Sequence, residues 1–475
     1  MPLVFFLYWF ATQKKLLYQN ILLLAASYFF YACWDYRFLF LLIFSTFLDY
    51  FTGLKMAAAP DKKNRRFWFW LSVIINLGFL GVFKYYNFFA ASLADALSAA
   101  GIKTNFWTLS VILPVGISFY TFHGLSYVID IYNGKIKAEK NFVDYSLFVS
   151  FFPLLVAGPI ERATHLLPQI KAERHFDLHK AVDGLRQILW GLFKKIVIAD
   201  NCAEYANSIF NNAGHHSGSV LVLGAVFFAF QIYGDFSGYS DIALGSARLL
   251  GIDLLRNFAF PYFSRDIAEF WRRWHISLST WFRDYLYIPL GGSKMGTWGK
   301  VRNTFIIFLV SGFWHGANWT FIVWGLLNAL FIMPSIIFST NRNNLDIVAR
   351  GKHLPSLKDF FAMLITFCLT LFAWIFFRAD NLHAAVNYVS GIFSKSLFSV
   401  PDIKFLVGSQ NHPLLISSFV LIFLLVEWLG REHQYALAAF GLKWPKPVRW
   451  LMYYCIAMAI FLFAGKEQQF IYFQF

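Results

Sequence analysis

Apolar stretches of about 16 to 22 residues recur from one end of this chain to the other, each close to the length that crosses hydrocarbon as a helix. Few folds suit that pattern. In lipid every backbone polar group must be satisfied within the chain, so a spanning segment is a helix or part of a closed barrel, and runs this long and continuous predict helices. Composition sharpens the point: 58% of the residues are hydrophobic, 21% aromatic and 14% charged, against roughly 25% charged for a soluble domain. Such a chain cannot cover itself with polar surface, and the predicted class is an all-α polytopic membrane protein.

Spans are predicted at 3–13, 18–34, 37–53, 67–83, 111–132, 184–199, 219–234, 302–315, 318–338, 358–378, 413–429 and 449–465. That makes about a dozen crossings, within a range of about 11–13 transmembrane helices. A net charge of +15 raises nucleic acid as a partner, but the basic residues sit in short loops between apolar runs, so membrane lipid is the expected partner and nucleic acid is not. Lys14-Lys15, Lys55 to Arg66 and Lys135 to Lys140 orient those loops to the cytoplasm, with 84–110 and Asn211 to Gly218 outside. Parity breaks at Asn141 to Glu161, where Pro153 and Gly158-Pro159 interrupt an apolar segment between two basic stretches. A re-entrant segment lining a cavity restores it, because broken backbone at membrane depth must be covered by protein or water. No repeat or long linker divides the chain, so residues 1–475 read as one membrane domain. The opening run Leu3 to Phe10 has its lysines behind it, which does not suit a cleaved signal peptide. Cys33, Cys202, Cys368 and Cys455 are far apart and form no CxxC, so they read as core residues.

Two histidines stand out against this background. The stretch Ser264 to Ser293 is too charged to span; read as one helix, it puts Trp271, His275, Leu278 and Phe282 on one face and Arg265, Glu269, Arg272 and Arg273 on another. An interfacial amphipathic helix explains the charges but not His275. His315 lies in SGFWHGANWTF, residues 311–321, among Phe313, Trp314, Trp319 and Phe321. An imidazole there needs partners or a wet cavity, and an intramembrane His is a functional-site hypothesis by default. Helical spacing places Ser311, His315, Asn318 and Trp319 on one face. Asn318 is then expected to fix the tautomer while the other ring nitrogen acts as general base.

The run YGDFSGYSDIALG, residues 233–245, holds Asp235 and Asp241 among small residues that permit close helix packing. A structural pairing with arginine or backbone is the expectation for both, as for Asp130, His123 and Glu161. GxSxG and HExxH are absent, Gly291 to Lys300 lacks the ending of a phosphate loop, and His215-His216 is at most an adventitious metal site. No bound cofactor or metal is expected, and any catalysis should be direct transfer with a histidine base.

The segments FWRRWHISLSTWFRDYLYIPLGGS (270–293), GFWHGANWT (312–320), PVGISFYTFHGLSYVIDIY (114–132), FPLLVAGPIER (152–162), 233–243 and the ending FIYFQF (470–475) together resemble the membrane-bound O-acyltransferases, closest to the bacterial alginate O-acetyltransferase type. The resemblance covers nearly the whole chain. It implies helices around a central tunnel in the bacterial inner membrane, with His315 catalytic and His275 near it. Asn318, Trp314, Ser311, Asp235 and Asp241 are carried as tunnel or supporting residues. It also implies a cytoplasmic thioester donor such as acetyl-CoA, separate periplasmic partner proteins, and a polysaccharide acceptor. Asn328 departs from the pattern, standing where the family often has another histidine. Two other functions stay open at this level: transfer of D-alanyl or another acyl group to a cell-wall polymer, and a transporter or flippase. Broken helices and buried aspartates would serve the transporter, although no paired broken segments occupy matching halves.

Overall fold

The apolar runs fold as helices in a computed structural model that describes residues 1–12, 15–102, 104, 109, 113–402 and 412–471, and no strand occurs among them. Lys14, the start of the predicted span 111–132 and the last four residues of the FIYFQF ending lie outside the described residues. The chain divides into two compact units, Met1–Ala181 with Ser246–Leu255, and Val182–Gly245 with Arg256–Phe475.

The first unit is built on α1 (Leu16–Ala58) and α2 (Lys62–Leu80). Asp35 leaves helical geometry inside α1, so the predicted spans 18–34 and 37–53 are two arms of one kinked helix. Its carboxylate accepts the Arg37 backbone N–H at 2.9 Å and pairs with the guanidinium at 2.6 Å, satisfying groups that the kink exposes. After α2 the helical path continues through a π-helical turn, Gly81–Tyr85, to Ala99. The predicted span 67–83 therefore stops short of the end of its helix.

α3 (Ile117–Tyr132), α4 (Phe142–Ser150) and α5 (Ala163–Lys171) complete this unit. The break expected near Pro153 is present: α4 stops at Phe151, Pro153 sits in the first turn of a four-residue helix, and irregular backbone follows. Leu154, Ala157, Ile160 and Glu161 are all buried, so protein covers that backbone. His123 Nε2 accepts the Glu161 backbone N–H at 3.1 Å, while the Glu161 carboxylate accepts from Leu255 at 2.6 Å and pairs with His165 at 2.8 Å. Asp130 pairs with Lys135 at 3.2 Å. The His123 and Glu161 contacts hold the broken segment in place.

The second unit contains most of α6 (Leu178–Leu192) and of α7 (Gly218–Leu249), and all of α8 (Ile267–Arg273), α9 (Ile276–Phe282), α10 (Gly296–His315), α11 (Trp319–Ile337), α12 (Leu357–Arg378), α13 (Pro413–Gly430) and α14 (Lys446–Leu462). Among the described residues, six helical stretches are long and apolar enough to cross a membrane: 16–58, 62–99, 218–249, 319–337, 357–378 and 413–430. That is fewer than the dozen segments read from hydropathy. The first two stretches each absorb extra length, and α3 and α14 are only 16 and 17 residues long. Large apolar side chains such as Phe40, Phe361, Leu421 and Phe461 are exposed on these helices, as lipid-facing residues would be. Three of the four cysteines are also exposed, and only Cys202 lies in the core, because helix faces turned to lipid need no polar residue.

Candidate functional site

The WHGANW motif makes a tight hairpin of α10 and α11. A Cβ on Gly312 would lie 2.3 Å from the Phe321 carbonyl oxygen, and one on Gly325 would lie 2.3 Å from that of Phe308, so the two backbones approach as only glycine permits. α10 ends on His315, and Gly316 turns extended beneath the Phe321 ring, which leaves no room for a side chain. Asn318 then caps α11 by accepting the Thr320 N–H at 3.1 Å, and donates to the Asp380 carbonyl at 2.8 Å. The expected helical face through Ser311, His315, Asn318 and Trp319 does not exist, because the helix stops between them. Asn318 closes the turn instead of orienting the imidazole, and Trp319 is half exposed at the start of α11.

His315 itself is buried, at 5% exposure. Its ring packs edge-on against Trp314, Trp324 and Phe377, with centroids 4.9, 5.0 and 5.3 Å away. Ser311, one turn back, is buried as well. Asn328 supports this cage: it donates to the Trp324 carbonyl at 2.8 Å and accepts the Trp271 indole N–H at 3.2 Å, holding Trp271 against Trp324.

His275 is reached differently. The single helix expected across 264–293 breaks at Trp274-His275, where His275 adopts φ 42°, the left-handed region. For a β-substituted residue this costs roughly 1–3 kcal/mol, and such strain concentrates at functional sites. The break is held by Asn257. Its carbonyl oxygen accepts the Ile276 N–H at 2.9 Å, and its side-chain oxygen accepts from the Ser277 hydroxyl at 2.7 Å and meets His275 Nδ1 at 3.1 Å. Asn257 Nδ2 donates to Ser240 at 3.3 Å, which assigns the amide orientation. Nδ1 therefore carries the proton and Nε2 the lone pair. Burial pushes the imidazole down to about 3, keeping it neutral near pH 7. The tautomer-setting amide expected beside His315 is thus found beside His275, on a residue that the sequence reading missed. Its partner lies 18 positions away in irregular chain, so no periodicity marks it.

Trp314 joins the two histidines, with its ring centroid 6.2 Å from His275 and 4.9 Å from His315. The neighbouring Arg265, Glu269 and Arg273 pair at i,i+4 spacing as the sequence implied, at 3.1 and 2.7 Å. Phe270 and Trp274 on this segment are buried, so its aromatic side packs against the rest of the unit.

Asp235 and Asp241 stand apart from this pair and hold α7 to the helix before it. Asp241 pairs with Lys194 at 2.5 Å and accepts from Gln187 at 2.7 Å. Asp235 pairs with Lys195 at 2.9 Å and accepts the Ile471 N–H at 2.7 Å. The pairing is as expected, except that the cations are lysines on a π-helical turn, Phe193–Ala199. The small residues act as the sequence suggested: a Cβ on Gly238 would sit 2.8 Å from the Gly191 carbonyl oxygen, and one on Gly245 2.4 Å from that of Gly184.

A helical membrane unit with buried histidines at helix breaks, each step set by the WRRWH and WHGANW residues, defines the class. Residues 135–377 match the membrane-bound O-acyltransferase family, and the chain belongs to it; the protein is a multi-pass membrane O-acyltransferase. It is 36% identical to the "Probable alginate O-acetylase AlgI" of Pseudomonas putida over 100% of this chain and 98% of that one. It is 34% identical to the "Peptidoglycan O-acetyltransferase" of Helicobacter pylori over 98% and 93%. The "Teichoic acid D-alanyltransferase" of Bacillus subtilis is 29% identical over 57% and 69%.

Proposed function

We propose that this protein passes an acetyl group from a cytoplasmic thioester donor, acetyl-CoA or another acyl thioester, across the inner membrane for O-acetylation of an exported polysaccharide. The single observation that carries the chemistry is the buried pair His275 and His315, both packed near Trp314. Neutral His315 accepts the proton of an acceptor hydroxyl as that oxygen attacks the thioester carbonyl. The C–O bond forms, the C–S bond breaks, and the proton passes from His315 to the departing thiolate. A general base so placed contributes about 10² to 10⁴ in rate. The aromatic walls around His315 exclude water, which protects the thioester from hydrolysis. His275 has a supporting role, as a second base or in shaping the passage, with Asn257 fixing its tautomer. Separate periplasmic partner proteins complete delivery to the glycan in this reading.

The relatives support acetyl as the cargo. Those named for O-acetylation align over nearly the whole chain, whereas the D-alanyltransferase aligns over 57% of it. D-alanyl transfer to a cell-wall polymer is therefore the second reading. Mass spectrometry of surface polysaccharide from cells with and without the protein separates the two. Loss of O-acetyl groups is expected; loss of D-alanyl esters replaces the cargo, and an unchanged polymer contradicts both.

A further inference from the structure

Three helices of the second unit leave a groove that the reaction above does not use. α7, α12 and α13, with the turn at Leu354-Pro355, border a cavity of about 700 Å³, within the size range of small-molecule sites. Phe230 and Tyr262 on its inner wall are buried, whereas Leu364, Leu421 and Leu425 at its rim are exposed, so it opens sideways from the helices. The few hydrogen-bond donors in the wall are already used on backbone. The Tyr262 hydroxyl donates to the Ala229 carbonyl at 2.6 Å, the Ser417 hydroxyl to the Pro413 carbonyl at 2.9 Å, and the Trp428 indole N–H to the His353 carbonyl at 2.7 Å. What remains for a ligand is hydrocarbon contact.

Length and residue type say which hydrocarbon. Along α13 the wall runs from Ser417 to Trp428, about 16 Å at roughly 1.5 Å per residue. That is half of a hydrocarbon core about 30 Å thick, the depth of one leaflet. Among the described residues neither Gly nor Ala lines the groove, although membrane helices that pack together meet on small residues. A thin acyl chain therefore suits it better than a partner helix. One end is polar and basic. Trp428 stands there with Arg431 over its ring at 4.0 Å, the placing of an aromatic residue at a membrane interface. Lys352 and Lys358 flank Leu354-Pro355 in sequence and are exposed, and among the described residues no carboxylate lies within ion-pair distance of either. Of the nearby acids, Asp359 accepts from the Ser356 hydroxyl at 2.8 Å and Glu432 from the Gly351 N–H at 2.7 Å. Arg342 and Arg350 add to the charge of this loop, which has the bias of a cytoplasmic one.

We infer that this groove holds an acyl chain of one anionic phospholipid of the cytoplasmic leaflet, with its phosphate facing Lys352 and Lys358. The lipid is a resident ligand and takes no part in acyl transfer. Phe230 and Tyr262 close the inner end with ring centroids 5.8 Å apart, and Trp274 backs Tyr262 at 6.1 Å, so the chain stops short of His275. Anionic lipid is favoured over zwitterionic lipid because each lysine near the headgroup contributes about 1 kcal/mol.

Native mass spectrometry of the full chain tests this. Delipidated protein in mild detergent is titrated with phosphatidylglycerol or with phosphatidylcholine of the same chains. The unsubstituted protein is compared with Leu425→Trp and with a variant carrying both Lys352→Gln and Lys358→Gln, each confirmed monodisperse. All three positions are exposed, so the substitutions fill the groove or discharge its mouth without entering the core. One phosphatidylglycerol is expected to bind about tenfold or more tighter than phosphatidylcholine. Leu425→Trp should lose that tight lipid, and the double Gln variant should bind it about tenfold more weakly with phosphatidylcholine affinity unmoved. Equal affinity for the two lipids overturns the proposal, because an apolar face alone then gathers lipid without regard to charge. Unchanged phosphatidylglycerol affinity in either variant overturns it too. A membrane peptide that copurifies with the protein and is displaced by Leu425→Trp, with no tight phosphatidylglycerol, would give the groove to a partner helix and likewise overturn it.

Discussion

One amide organises the His275 corner. Asn257 receives the Ile276 N–H on its main chain and gathers Ser277 and His275 on its side chain, so it fixes both the break in the chain and the proton on Nδ1. Replacing Asn257 with Asp puts a carboxylate against Nδ1, which stabilises the imidazolium and raises the His275 pKa. If His275 acts in transfer as neutral imidazole, the acid limb of the pH–rate profile should move to higher pH in N257D; an unmoved limb, with only lowered amplitude, would make Asn257 purely structural. At this scale the sequence was half legible. His315 and His275 announce themselves as costly imidazoles in apolar runs. Asn318 was misread because helical spacing was carried through Gly316, where the helix ends to seat the glycine under Phe321.

At the scale of elements, buried ion pairs explain both what hydropathy captured and what it lost. α12 and α13 were legible within a residue of their ends, 358–378 against Leu357–Arg378 and 413–429 against Pro413–Gly430, because lipid-facing apolar sequence fills them. α7 was cut short at 234, although it runs to Leu249. The polarity that seemed to end it, Asp235 and Asp241, is neutralised by Lys195 and Lys194 from the preceding helix. Removing one partner leaves the other charge buried and alone. Lys194→Ala is expected to destabilise the protein by roughly 3–5 kcal/mol, read as a lowered thermal midpoint in detergent. Lys194→Met with Asp241→Leu should recover most of that loss; equal stability of the single variant and the unsubstituted protein would mean that the pair is not desolvated as described.

For the molecule as a whole, length, apolar content and basic loops were enough to specify a helical membrane protein, and two motifs were enough to suggest its family. Hydropathy cannot tell a kinked continuous helix from two spans, so the segments read at 18–34 and 37–53 are arms of one helix. What the sequence could not display is how the WRRWH and WHGANW segments, forty positions apart, meet across Trp314. The proposed acyl transfer depends on His315 being the base at that meeting point. The direct measurement is acetyl transfer to surface polysaccharide by His315→Ala protein, with membrane insertion and a monodisperse detergent extract confirmed first. A fall of about 10² to 10⁴ with insertion unchanged is expected; full transfer by the folded variant rules out His315 as the base.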